Sequence, residues 1–436
     1  MSNKKVLIIS YYYHPSNFAG SERAYAWSKS LHRFGYYPIV LTRNWNENQT
    51  DIVGDIKDNS FKKQISEEGE TIYIPYNRSL RDILSAYPKL RLLQKALTFF
   101  ELFLNPITIR ALPYSNLYFE AEKILEQDKS IAAVIISGNP YQLFHFGHLL
   151  KQKFNIKWIP DYRDEWSTHP NLPKTSRLEK LLLKRDRILE RKWTQNADAF
   201  ISVSESCVDS IQRFIRKPGF VVRNGFDFVL KPEREKTPNE NTLIITYSGT
   251  LYPSQQIEIF ISALKGVIKE NISPFKIKVN FMGVSPRDSE YKKLKNLTSG
   301  YDDVFFISER VSKKEIESIL TNSDLLFATA YDGVNDWTPV KFFEYYTSNT
   351  PILLCPSDKG KMEEFITQTH CGYYANNQEE CTALLISLIE KKKKGEALLP
   401  LVNPTYAMQF TRAEQTKRLA LVLDNLLAPI AKEKKV

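Results

Sequence analysis

The chain is poor in the residues that stabilise exported or zinc-bound proteins. Its 436 residues include four cysteines, and no two of them form a C-x-x-C pair. This spacing favours reduced thiols in a cytosolic protein and argues against a structural zinc site. The N-terminus leads into an apolar strand pattern without the apolar segment of a signal peptide. We therefore expect a cytoplasmic protein that is not exported.

Several motifs of nucleotide, metal and nucleic-acid chemistry are also missing. No G-x-G-x-x-G follows the first apolar strand, so a dehydrogenase is not favoured. No D-x-D motif or histidine-rich cluster occurs, so phosphate binding is predicted to need no metal. Basic residues are dispersed, and no helix-turn-helix, RNP or zinc-finger pattern is present. Nucleic acid is therefore not expected as a partner.

The net positive charge of the chain indicates an anionic partner. The net charge is +10, with 42% hydrophobic and 25% charged residues, which is an ordinary globular composition apart from its basic balance. With nucleic acid set aside, a nucleotide-sugar and an acidic membrane face remain as candidates. The length is too great for one ordinary core and sufficient for two.

The first strand, helix and second strand form a β-α-β pattern. A continuous apolar run at 6–10 is followed by a loop with Gly20 and Ser21 at a helix start, and then by a second run at 37–42. Such runs are typical of parallel strands covered on both faces. Glycine in the first loop lets the backbone approach an anion or sugar closely. A plain turn without a ligand is the alternative.

The chain is predicted to contain two α/β domains. The best linker is a polar stretch rich in proline, glutamate, lysine and asparagine at 231–241. We place the first domain at 1–230 and the second at 241–404. The C-terminal helix at 405–436 is predicted to join the first domain.

A charged run follows another predicted strand. Residues 161–166 read D-Y-R-D-E-W, and they include Arg163 and Asp164. Open α/β sheets place their ligand groups at the carboxyl ends of parallel strands. Arginine can hold phosphate or sugar hydroxyls, but it cannot shuttle a proton. A structural salt-bridge cluster is the alternative.

A helix start near residue 338 has the features of a phosphate site. Thr338 is predicted as the cap and Pro339 as the first helical residue, with free amides at the start, including that of Val340. These amides and Lys341 would hold a phosphate. Glu344 lies deeper, where it could accept hydrogen bonds from ribose hydroxyls. An amphipathic helix with a surface glutamate is the alternative.

The pattern Asp336-x7-Glu344, continued by E-Y-x5-P-I-L, resembles glycosyltransferase family 4. The resemblance implies a GT-B fold, with two Rossmann-like domains facing across a cleft. It also implies that Glu344 holds the donor ribose and that Asp336 lies beside the transferred sugar. Asp336 stands where the family usually has glutamate.

The run at 161–166 resembles the D-x-R-D-x-W motif of a branch that builds bacterial surface polysaccharides. Arg163 then replaces the histidine of a His-Asp pair, and Asp164 keeps the acid. The resemblance implies a retaining enzyme of the hexosyltransferase type, with a UDP- or GDP-linked donor and no metal or other cofactor. It implies a glycan or lipid-linked acceptor, and hence work on the inner face of the plasma membrane.

The second domain departs from the family in its first turn. Thr250, Gln255 and Gln256 lie where members often carry Arg and Lys for the diphosphate. The resemblance assigns Gly249, Thr250 and Gln255 to donor binding, and amides, Lys341 or Arg163 to the missing charge. Two further positions belong to this comparison: Arg310, in the loop where the family holds the nucleobase, and Ala19, which replaces a glycine beside Gly20.

The segment 88–104 has two possible roles. It combines leucines and phenylalanines with Lys89, Arg91 and Lys95, and it is too interrupted by charge to span a bilayer. Such a helix either packs in the core or rests on an anionic membrane.

Two other functions stay open at this point. A nucleotide-sugar epimerase shares the GT-B architecture, and a non-catalytic membrane-associated scaffold would fit the missing Arg and Lys. Epimer formation without acceptor would indicate the first, and nucleotide binding without transfer the second.

Overall fold

The computed structural model describes residues 4–16, 18, 20–46, 60–84, 87–104, 107–169, 176–227, 241–269, 276–286 and 289–428. Contacts divide the chain into two bodies: Met1–Asn224 with Arg412–Val436, and Gly225–Thr411. The sequence placed these breaks at 230, 241 and 405. The predicted linker lies outside the described residues except for Asn241.

The first body is built on a mainly parallel sheet. Its strands are β1 (Lys4–Ser10), β2 (Tyr36–Arg43), β3 (Lys62–Ile65), β4 (Glu70–Ile74), β5 (Ile131–Ser137), β6 (Lys157–Tyr162), β7 (Phe200–Ser202) and β8 (Gly219–Val221). Their order is β3-β4-β2-β1-β5-β6-β7-β8, and only β3 pairs antiparallel among the described strands.

Helices cover both faces of this sheet. They are α1 (Ser21–Ser30), α2 (Leu80–Leu84), α3 (Arg91–Leu104), α4 (Asn116–Gln127), α5 (Leu143–Phe154), α6 (Arg177–Thr194) and α7 (Glu205–Ile215). In β1, Leu7 and Ile9 face one core, and Val6 and Ile8 face the other. Two covered faces explain why the strand is apolar throughout.

The second body has a fully parallel sheet. Its strands are β9 (Thr242–Ser248), β10 (Lys276–Met282), β11 (Phe305–Ser308), β12 (Leu325–Ala328), β13 (Ile352–Leu354) and β14 (Gly372–Tyr374), in the order β11-β10-β9-β12-β13-β14. Its helices are α8 (Ile257–Lys269), α9 (Ser289–Thr298), α10 (Lys313–Asn322), α11 (Val340–Thr347), α12 (Lys361–Thr369) and α13 (Gln378–Lys393).

The last helix, α14 (Arg412–Leu427), belongs to the first body. Leu419 and Leu423 are buried in the same core as Ile8. The hydroxyl of Tyr36 also donates a hydrogen bond to Asp424 at 2.7 Å. These contacts extend the helical layer that covers one face of the first sheet.

Each sheet has one point where the strand order reverses. In the first sheet this point lies between β1 and β5, and in the second between β9 and β12. Open α/β sheets bind ligands outside the carboxyl ends of the strands at such points. Within the described ranges, none of the helices is both long and apolar enough to cross a bilayer.

Candidate functional site

Gly249 shapes the turn that follows the central strand β9. Its φ of +109° lies in a region that side-chain-bearing residues rarely adopt, so the turn requires glycine. Its amide donates to the carbonyl of Met282 at 2.8 Å, and the preceding amide of Ser248 donates to the phenol oxygen of Tyr345 at 2.6 Å. The turn is therefore fixed against β10 and α11. The sequence missed Tyr345, whose only signal was its place beside Glu344.

Lys341 brings a cation to this turn. Its Nζ donates to the phenol oxygen of Tyr247 at 2.6 Å and lies 4.1 Å from the centre of that ring. The Tyr247 hydroxyl lies 2.9 Å from the carbonyl oxygen of Thr250, which it donates to. A Cβ at Gly249 would lie 3.7 Å from Cδ of Lys341, so this side chain passes directly under the turn. Tyr247 thus links Lys341 to the backbone of Thr250, and Lys341 passes under Gly249. The sequence did not single out Tyr247.

The ammonium group of Lys341 is held where water is scarce. The residue as a whole is half-buried, but desolvation lowers the pKa of its side chain from 10.5 to about 7, and Glu344 partly opposes this shift. Near neutral pH the amine is therefore close to half protonated. An approaching phosphate would favour the charged form.

The start of α11 differs from the prediction by one position. The helix begins at Val340, and Pro339 occupies the capping position without a side-chain cap, so the assignment of Thr338 as the cap was wrong. Pro339 is extended, with φ −63° and ψ 149°, and a proline also disfavours helical backbone at the residue before it. The amide of Phe342 donates to the Pro339 carbonyl at 3.0 Å. The amides of Val340 and Lys341 precede that bond, so they have no partner within the helix and are suited to binding an anion.

Gln255 supports the turn from inside. Its side chain is 1% exposed, and its Oε1 accepts a hydrogen bond from the Tyr252 amide at 3.0 Å and lies 3.3 Å from the Tyr247 hydroxyl. The Asp332 amide fixes the neighbouring loop to this turn, because it donates a hydrogen bond to the Ser254 carbonyl at 2.8 Å. Gln255 was predicted to bind donor. The structure places its side chain beneath the loop, where it holds the loop backbone.

Asp336 lies half-buried on the loop that leads into α11. On one side, the carbonyl of Asn335 accepts a hydrogen bond from the Lys361 amide at 2.7 Å. On the other, the rings of Trp337 and Tyr331 have centres 5.2 Å apart. The loop is thus fixed on both sides of the carboxylate.

The other two predicted donor residues are exposed at the same edge of the second sheet. Glu344 lies one turn into α11, and Arg310 follows β11. The carbonyl of Ser308 accepts from the amides of Gly283 and Val284 at 2.9 and 3.0 Å, which joins the loops after β10 and β11. Arg310 therefore lies on a loop two strands away from Gly249.

In the first body, Gly20 and Arg163 meet. A Cβ built on Gly20 would lie 2.1 Å from Nη1 of Arg163, so only glycine leaves room for the guanidinium. Ser21 is 0% exposed, its hydroxyl is bonded to that of Ser16, and its amide donates to the Phe18 carbonyl at 2.8 Å. The buried Gly20 thus contacts the half-buried Arg163, while Ser21 secures the start of α1.

Asp164 is exposed on a loop that is held by its backbone. The hydroxyl of Tyr141 donates to the Asp164 carbonyl at 2.7 Å. The Tyr141 ring stacks on Trp166, with centres 5.2 Å apart and planes 7° from parallel. The carboxylate therefore projects from a rigid support.

A buried ion pair lies beneath this edge, and the sequence did not predict it. Nη2 of Arg23 lies 2.9 Å from Oδ1 of Asp161, and their side chains are 4% and 0% exposed. The hydroxyl of Ser137 donates to the same carboxylate at 2.8 Å. The salt-bridge alternative for the charged run thus holds for Asp161, while Arg163 and Asp164 lie further out. Arg23 stands in α1, and no local pattern linked it to Asp161.

The chain resembles known proteins both in sequence and in fold. Residues 231–398 match the family model described as glycosyl transferases group 1. No curated protein sequence matches the chain.

Solved structures with similar folds cover almost the whole chain. Sucrose-phosphate synthase from Thermosynechococcus elongatus has a TM-score of 0.63 at 15% identity, over 98% of this chain and 100% of that one. Anabaena HepE, solved with UDP and glucose, has a TM-score of 0.57 at 12% identity, over 97% and 100%. Trehalose 6-phosphate synthase from Burkholderia multivorans has a TM-score of 0.59 at 11% identity, over 98% of each chain.

The predicted α/β class and GT-B fold are confirmed by these similarities. The matched segment contains the turn at Gly249, the start of α11 and Glu344. The match at 231–398 supports a glycosyltransferase, and the shared fold extends along almost the whole chain.

Proposed function

We propose that the protein is a retaining glycosyltransferase of family 4. It transfers a hexosyl group from a UDP- or GDP-linked donor to a glycan or lipid-linked acceptor during synthesis of cell-surface polysaccharide. One observation carries the proposal: Lys341, the turn at Gly249 and the open amides of α11 lie together at the switch point of the second sheet. A group of open amides beside a cation is suited to the concentrated negative charge of a diphosphate.

The donor is assigned to the second body. The amides of Val340 and Lys341 and the Lys341 ammonium bind the diphosphate, and Glu344 accepts hydrogen bonds from the ribose. Asp336 approaches the transferred sugar, and Arg310 lies on the side of the base. The UDP and UDP-glucose complexes of Anabaena HepE support a nucleotide-sugar donor.

The chemistry assigned to these residues is stabilisation of the leaving group. As the bond to the anomeric carbon breaks, negative charge grows on the diphosphate, and preorganised amides and a cation stabilise it. A leaving phosphate oxygen takes the acceptor proton as the acceptor attacks the same face. This route needs no protein base, which suits an arginine at position 163.

The acceptor is assigned to the first body. Arg163 presents fixed donors beside Gly20, and Asp164 presents an exposed carboxylate on a braced loop. The guanidinium suits phosphates or hydroxyls of a glycan, and the carboxylate suits its hydroxyls. The acceptor is proposed to be lipid-linked, which would bring the enzyme to the inner face of the plasma membrane.

A donor screen tests the proposal. The purified protein is incubated with UDP- and GDP-sugars, with and without polyprenyl-phosphate-linked glycans, and nucleotide release is measured. NMR of the product should show the same anomeric configuration as the donor; inversion would overturn the retaining assignment. Epimerised donor without acceptor would indicate an epimerase, and binding without any turnover a scaffold.

A further inference from the structure

The helix α3 turns its apolar side outward. Its exposed apolar side chains fall on one side of a helical wheel, with Leu92 at 83% and Phe100 at 64% exposed. The same side carries the other exposed members of this set: Leu93, Ala96, Phe99 and Leu104. The expectation that this segment packs in the core is therefore wrong for these side chains.

The polar side of α3 faces the protein. Nη1 of Arg81 in α2 lies 3.3 Å from Oε2 of Glu101, and burial raises the pKa of Glu101. α2 also packs against α3. A half-buried ion pair on the inner side of a helix that exposes Leu92 and Leu93 is the reverse of a surface helix in water. The ion pair therefore holds the apolar side toward the outside.

Neighbouring residues extend the exposed apolar surface. α2 and the chain on both sides of α3 contribute further large side chains at the surface: Leu80, Ile83, Tyr87, Leu90 and Ile107. Monomeric proteins rarely expose so many large apolar side chains in one stretch unless a partner covers them. We call the exposed side chains of α2, of α3 and of the chain beside α3 the α2–α3 surface.

The charges along the surface are of one sign. Lys89, Arg91 and Lys95 are exposed, and Glu101, the one acidic residue between 87 and 104, is paired beneath the helix. A second copy of the chain packed symmetrically on this surface would oppose these cations to one another. A bilayer with anionic headgroups offers both an apolar interior and negative charge.

We propose that the α2–α3 surface docks the enzyme on an anionic lipid bilayer. Leu92, Phe99 and Phe100 enter the acyl boundary, and the three cations lie at the level of the lipid phosphates. The docking is independent of the transfer reaction, because it needs neither donor nor acceptor. Failure of either proposal is therefore visible without the other.

Vesicle sedimentation of the full chain tests the proposal. We expect binding to phosphatidylglycerol-containing vesicles at low salt, little binding to pure phosphatidylcholine, and release by salt. Two variants separate the contributions: Leu92→Gln with Phe99→Gln and Phe100→Gln, and Lys89→Ser with Arg91→Ser and Lys95→Ser. Each should weaken binding at least about tenfold, since both the surface cations and the buried apolar side chains contribute to membrane affinity.

Matched controls come from other surfaces of the chain. Leu401→Gln with Leu421→Gln removes exposed leucines, and Lys292→Ser with Lys295→Ser and Lys314→Ser removes exposed cations. These controls should bind as the native protein does. The proposal is overturned if the native protein ignores anionic vesicles at low salt, or if controls and test variants lose binding equally. It is also overturned if sedimentation velocity shows a dimer that the Leu92, Phe99 and Phe100 variant alone converts to monomer.

Discussion

The guanidinium of Arg163 lies against Cα of Gly20, at a distance that leaves no room for a methyl group. Gly20 precedes α1 and Arg163 follows β6, so the contact joins two loops far apart in sequence at the carboxyl edge of the first sheet. Because the guanidinium is the end of the flexible Arg163 side chain, a larger residue at position 20 would displace this group without preventing folding. The contact therefore offers a way to move the arginine without removing it.

Gly20→Ala should lower kcat/KM by at least about tenfold, because a hydrogen bond to a charged group contributes on the order of 1.5–3 kcal/mol. Arg163→Ala should have a similar effect, and the double variant should add little, since both changes remove the same guanidinium. Steady-state kinetics with the donor and acceptor from the screen would measure this cycle.

A second glycine provides the control for that cycle. Gly266 lies within α8, with no atom within 4 Å of a Cβ built on it. Gly266→Ala should keep full activity and increase stability by up to about 1 kcal/mol, because alanine is the better helix former. Additive losses from Gly20→Ala and Arg163→Ala would show that Gly20 acts separately from the arginine.

The buried pair of Arg23 and Asp161 should matter for stability. Asp161→Asn would leave a charged guanidinium enclosed without a carboxylate, which costs about 3–5 kcal/mol. Urea unfolding followed by the tryptophans of the first body would measure the loss. Asp164→Asn is the matched control, and its exposed position predicts a change within about 0.5 kcal/mol. Equal effects from the two substitutions would contradict the assigned roles.

Local pattern was enough to predict much of this fold. Continuous apolar runs predicted β1 and β2, because a strand covered on both faces needs apolar side chains on both. The second run, at 37–42, falls within β2 (Tyr36–Arg43) and differs from it by one residue at each end. The spacing of Asp336 and Glu344 pointed to α11 as a ligand-binding helix. In the structure, the side chain of Lys341 in α11 contacts the turn at Gly249.

Long-range geometry was beyond the sequence. Nothing near Arg23 indicates Asp161, because 138 positions separate them and only the sheet order brings them together. An apolar helical period predicts an amphipathic α3, but it does not say which side faces the protein. The position of Gln255 beneath its loop also depends on packing that no spacing encodes.

Glu344→Ala should weaken donor binding at least tenfold. A ribose diol would lose a charged acceptor, and such hydrogen bonds contribute on the order of 1.5–3 kcal/mol. Calorimetric titration with the sugar nucleotide would measure the change. Glu379→Ala, at an exposed position in the first turn of α13, should leave affinity unchanged. Comparable losses in both variants would remove the ribose assignment.

Turnover should not require a divalent metal. The negative charge of the leaving diphosphate is assigned to the amides of α11 and to Lys341, so activity should persist in excess EDTA. Initial rates before and after chelation would measure this. A loss that magnesium or manganese restores would show that a metal shares the role given to Lys341.

Donor affinity should fall as pH rises above 7, because of Lys341. Burial lowers the pKa of its side chain to about 7 in the ligand-free protein, and a bound diphosphate would raise that pKa. Donor binding then takes up a proton at pH 8, and affinity declines by up to about tenfold per pH unit until the pKa of the complex is reached. Titrations in two buffers of different ionisation enthalpy would measure the uptake. Lys341→Gln should bind weakly and with no such slope.

The same lysine should give the ligand-free protein an opposite dependence on pH. The unfolded chain has a lysine pKa of about 10.4, so it binds more protons than the folded state between pH 7 and that value. The free energy of unfolding should therefore rise with pH across this window, and Lys341→Gln should flatten that contribution. Urea unfolding of both proteins at pH 7 and 9 would measure the difference.

The outcome that contradicts the role of Lys341 in donor binding is a donor affinity of the native protein that stays level from pH 6 to 9, with no proton uptake. It would show that Lys341 remains bonded to Tyr247 and does not meet the diphosphate.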